Sequence, residues 1–103
     1  MRIVYDGDDK KFLDKVVNTF GVGNQLEVME EELAECIAAI SHYLRGRDSA
    51  FMEMTEEMAD VFIMLSQFYL KYESEIHFHL ERKMNRLRER LIVFEKERQK
   101  AGA

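Results

Sequence analysis

The chemistry available to this chain rests on carboxylates gathered in two short runs. EEELAECIAAI holds Glu30, Glu31, Glu32 and Glu35, and EEMADVFIML holds Glu56, Glu57 and Asp60. In both runs the acids come first and an apolar helix-like stretch follows. Residues three apart on a helix are neighbours on one side. Glu32 with Glu35, and Glu57 with Asp60, therefore form two pairs. A set of donors made only of oxygen suits a hard divalent cation, Mg²⁺ or Mn²⁺, rather than zinc or copper. Mg²⁺ keeps part of its water shell and binds through a few carboxylates together with substrate phosphates. The chemistry such a set points to is a metal-bridged phosphate site. No histidine or cysteine is spaced to join it.

Four helices are expected to position these groups. DDKKFLDKVVNTF places Phe12, Leu13, Val16, Val17 and Phe20 at helical spacing, which predicts a short helix over 9–20. GVGN ends it, with Asn24 as the expected N-cap of a second helix over 25–45 and Glu27 completing a capping box. That helix carries the apolar stripe Leu26, Met29, Leu33, Ile37, Ile40 and Leu44. RGRDS closes it, with Gly46 suited to a C-cap. A third helix is predicted over 50–71, with Met54, Met58, Val61, Phe62, Leu65, Phe68 and Tyr69 facing inward. A break near KYES leads to a fourth over 75–99, where Leu80, Met84, Leu87, Leu91 and Phe94 alternate by four and three. The tail KAGA is expected to fray.

A short connection makes the second and third helices antiparallel neighbours. Glu35 lies ten residues before Arg45 and Asp60 ten after Ala50, so counting from the turn puts both at one height, with Glu32 and Glu57 within a turn of it. Four carboxylates then converge beside the apolar stripes. Like charges that close raise one another's pKa or push the helices apart, and a divalent cation reverses that conflict. The plainer reading is a solvated acidic face, with some acids favouring a helix N-terminus.

The bulk properties narrow the alternatives. The chain has 103 residues, 47% of them hydrophobic, which suits a single all-α domain over 1–103 that gains by packing on a copy of itself. It has no proline, which leaves long helices unbroken. A net charge of −5 argues against a nucleic-acid polymer as partner. One cysteine excludes an internal disulfide. There is no apolar run long enough for a membrane span and no secretion signal, so a cytoplasmic location is expected.

The paired motif, Glu31-Glu32-Leu33-Ala34-Glu35 followed after 21 residues by Glu57-Met58-Ala59-Asp60, resembles the EExxE…ExxD signature of the MazG-like, all-α nucleoside triphosphate pyrophosphohydrolases. The lead-in FGVGNQLEVMEEELAE and the runs CIAAI and VFIML fit as well, so the likeness spans about Phe20 to Leu70. It implies a helical protomer that assembles as a dimer or tetramer and hydrolyses a nucleoside triphosphate to the monophosphate and pyrophosphate with Mg²⁺. By position, Glu32, Glu35, Glu57 and Asp60 become the metal ligands. Glu31 becomes an outer member that orients a water or a ligand, and Glu31 or Glu35 the proton acceptor. Relatives often carry cations in the next helix, where this chain has Lys83, Asn85, Arg86 and Arg90. Lys83, Arg86 and Arg90 recur by three and four as one basic stripe, a pattern equally suited to a solvated face. Gln25 stands where relatives often place a polar residue near the nucleotide, and also where a helix starts. Some relatives use a tryptophan against the base. This chain has none, and its nearest aromatics, Phe12, Phe20 and Tyr43, read as core.

Two other functions compete. A carboxylate-bridged di-iron bundle wants Glu-x-x-His on two helices, and neither acidic run offers it. A non-catalytic helical interaction module would use the fourth helix to pair with a partner. Cys36 reads as a small buried filler, His42 as structural or surface, and His77 and His79, two apart, as a poor metal pair.

Overall fold

The computed structural model describes residues 7–102, which form helices joined by short connections. Four helices follow one another: α1 Gly7–Phe20, α2 Val22–Leu44, α3 Ala50–Lys71 and α4 Glu73–Gly102. Among the described residues, no helix is long and apolar enough to cross a membrane. The chain divides into two compact units, one ending at Lys71 and the other beginning at Tyr72.

In the first unit α1, α2 and α3 pack on one another. α3 has the bounds that its apolar spacing predicts. The α1–α2 junction differs from expectation. Gly21, at φ 94°, is the N-cap of α2 and supplies no side-chain bond. Its lack of a Cβ admits that backbone. Asn24 lies inside α2, and its Nδ2 donates to the carbonyl of Phe20 at 2.8 Å. It satisfies the exposed C-terminus of α1, not the N-terminus of α2. At the other end of α2, Gly46 at φ 75° sits just past the C-cap Arg45. Gly46 N–H donates to Tyr43 and Arg47 N–H to His42, the two bonds of a Schellman turn.

The buried faces also differ from the predicted stripes. Leu13, Val17, Cys36, Ala39, Ala50, Met64 and Phe68 form the buried apolar set. α2 turns Gln25, Cys36 and Ala39 inward, with Met29, Glu32 and Ile40 half-buried. Leu26, Leu33, Ile37 and Leu44 of the expected stripe are exposed, Ile37 at 68% and Leu44 at 76%. On α3, Phe68 is buried, Met54, Val61 and Tyr69 are half-buried, and Met58, Phe62 and Leu65 are exposed. Phe12, Phe20 and Tyr43 are exposed, not core. α2 buries its small residues Cys36 and Ala39, while the bulkier Leu26, Leu33, Ile37 and Leu44 lie exposed.

The second unit is α4, which continues through Lys100 to Gly102 where fraying was expected and contains no buried residue. Its heptad positions Leu80, Met84, Leu87, Leu91 and Phe94 are exposed. Near its start, the Arg82 guanidinium lies 5.5 Å from the Phe78 ring centre.

Candidate metal centre

The inward faces of α2 and α3 carry the acids. Glu32 is half-buried on α2 and Glu57 half-buried on α3, while Glu35 is more open. One carboxylate oxygen from each of Glu32, Glu35 and Glu57 lies within 4.8 Å of the others. Asp60, half-buried, faces Glu32, and Glu35 faces Glu57. Counting from the turn had set Glu35 level with Asp60. Near the turn the same count holds: His42, three residues before Arg45, meets Glu53, three after Ala50, at 3.0 Å.

Two oxygens stand out. Glu32 Oε2 and Glu57 Oε2 are shut off from solvent and accept no hydrogen bond. Their nearest polar neighbours are other carboxylates, which have no proton to offer when ionised. Buried polar atoms are nearly always partnered, so an orphaned pair aimed from facing helices is a fit for a cation. All the donors are carboxylate oxygens, the set a hard divalent ion prefers.

The electrostatics agree. Burial raises the Glu32 pKa above its ordinary 4.5, and the charges of Glu35, Asp60 and Glu31 raise it further. Burial likewise raises that of Glu57, followed by Glu35, Asp60 and Glu32. Each group holds its proton more tightly folded than unfolded. Stability from this source is therefore present at low pH and lost as pH rises from about 4.5 through the folded values. The metal-free protein should lose this stabilisation between pH 4.5 and pH 7.5. Calorimetry of the Glu32→Gln/Glu57→Gln double variant isolates the cluster: its melting temperature should change less between the two pH values. An equal change would remove these two carboxyls as the cause.

The remaining predicted residues fall elsewhere. Glu31 is exposed beside Glu32 and adds to its charge environment. Gln25 is buried, and its Nε2 donates to Gln67 Oε1 at 2.9 Å, so its amide is spent inside the unit. Lys83, Asn85, Arg86 and Arg90 lie exposed along α4, where Asn85 Oδ1 accepts from Arg88 at 2.8 Å. Sequence reasoning missed Gln67. The signal was present: a glutamine within VFIMLSQFYL is a polar residue in an apolar run and needs a partner. Compared with protein-family models, curated proteins and solved structures, the chain matches none.

Proposed function

We infer that the chain is a Mg²⁺-dependent nucleoside triphosphate pyrophosphohydrolase of the MazG-like kind, releasing pyrophosphate and the monophosphate. The observation that carries this reading is the pair of solvent-shielded, unpartnered oxygens of Glu32 and Glu57. A merely solvated acidic face would leave its carboxylates in water. Glu32, Glu35, Glu57 and Asp60 hold the ion, Mg²⁺ or Mn²⁺, and the ion when bound offsets charge on the polyphosphate. Glu35 or Glu31, the more exposed acids, would accept the proton of an attacking water. By the resemblance alone, Lys83, Arg86, Arg90 and Asn85 would be phosphate-binding residues. The exposed stripe Leu26, Leu33, Ile37 and Leu44 supports assembly with another copy of the chain.

The same exposed stripe favours a second reading, a helical interaction module without catalysis. A di-iron centre has less support: the clustered residues are carboxylates, with no histidine among them. Incubation with a panel of nucleoside triphosphates, with Mg²⁺ or with a chelator, separates the readings. The expected result is pyrophosphate release that needs Mg²⁺ and disappears in Asp60→Ala. Orthophosphate release, or no turnover of any nucleotide tried, would overturn the enzymatic reading.

A further inference from the structure

The acid cluster poses a mechanical question. Four carboxylates from two helices disfavour the register that brings them together. Several apolar residues of these two helices are small or flexible enough to tolerate sliding. Cys36 and Ala39 are small, and Met29, Met54 and Met64 are flexible enough to fill a shifted seam. Near the turn His42–Glu53, at 3.0 Å, and the Tyr43–Phe51 rings tie α3 to α2; on the far side of the acids the polar tie is Gln25–Gln67.

We propose that the buried Gln25–Gln67 pair is the register lock of the α2–α3 hairpin, and that these two glutamines are positioning residues for the acid cluster. Gln25 is 7% exposed and Gln67 2%. Gln25 Nε2 donates to Gln67 Oε1 at 2.9 Å, and Gln67 Nε2 turns to Met64 Sδ at 3.6 Å. Gln25 stands seven residues before Glu32, and Gln67 seven after Asp60. The pair is thus two helical turns, about 10 Å, from the level at which Glu32 faces Asp60. Over so short a length the helices act as rods, so fixing one level fixes the other. A slip of one turn would separate the two amides by about 5.4 Å and break their bond, leaving Gln67 only its contact with Met64. A single buried polar pair that selects register among similar apolar packings is a known device in helical assemblies.

The inference rests on the metal reading only for its functional consequence, and the test keeps the two apart. Spin labels are placed at the exposed positions Glu30 and Glu56 in a Cys36→Ala background, diluted with unlabelled protein. Pulsed dipolar spectroscopy reads the α2–α3 distance, and Mn²⁺ titration followed by electron paramagnetic resonance reads metal affinity. The parent should give one narrow distance. Gln25→Leu/Gln67→Leu replaces both amides by apolar groups of similar size and should remain helical. Its distance should shift or split, and Mn²⁺ affinity should fall at least tenfold. Gln67→Glu alone, with Gln25 intact, still accepts the Gln25 bond and should keep the parental distance and Mn²⁺ affinity. A folded double variant with the parental distance would overturn the lock. A shifted distance in a protein whose parent takes up no Mn²⁺ would uphold the lock while removing the metal reading of the acids.

Discussion

Glu57→Gln should move activity and metal-free stability in opposite directions. Glutamine matches glutamate in shape but removes one of the charges that crowd the seam. Its amide can also donate to Glu35, which faces it. The shielded oxygen that lacked a donor is then part of a partnered group, and the metal-free protein should melt higher than wild type at pH 7.5. Mg²⁺-dependent pyrophosphate release should fall by at least about a hundredfold, since an amide is a neutral, weaker ligand and charge neutralisation at a phosphoryl site is worth that much or more. Wild type should gain stability on adding Mg²⁺, by about 2.7 kcal/mol at a hundredfold excess over its Kd. The variant should gain little. Scanning calorimetry with and without Mg²⁺, beside a pyrophosphate assay, checks all three. A variant that loses stability and activity together would make Glu57 a structural residue. One that keeps full activity would remove it from the site.

Phe68→Ala should cost about 3–5 kcal/mol, the range for truncating a buried aromatic. Phe68 is 5% exposed on the helix that touches both α1 and α2. A loss of that size is a large share of the 5–15 kcal/mol that holds a typical domain together. Urea titration followed by circular dichroism should show the midpoint fall sharply. Ile37→Ala is the informative contrast, because Ile37 is 68% exposed. In an isolated protomer it should change stability by no more than about 0.5 kcal/mol. If a second copy covers that face, the same substitution should weaken association and make the melting temperature depend more steeply on protein concentration. A small effect of Phe68→Ala would contradict the packing of α3 described above.

Much of the fold could be read directly. Continuous apolar periodicity and the absence of proline marked every helix, and α3 ends where its pattern ends. Helix ends set by a single backbone angle were harder. Asn24 has the chemistry of an N-cap, but Gly21 at positive φ turns the chain three residues earlier, leaving Asn24 within reach of the Phe20 carbonyl. The faces were harder still. Leu26, Leu33 and Ile37 repeat at helical spacing as a core stripe would, and periodicity cannot say whether an apolar face meets its own chain or something outside it. Tertiary packing decided that, burying Cys36 and Ala39 and leaving Leu26, Leu33 and Ile37 exposed.

By itself the sequence determined that the chain would be helical, and that acids three apart on two of those helices would share a side, because both follow from spacing along one rod. Only the tertiary structure decided which carboxylate faces which, that Glu32 and Glu57 each shield an oxygen from water, and that Gln25 spends its amide on Gln67. Those outcomes depend on the rotation and the sliding of one rod against another, and residue order along a single helix carries no measure of either.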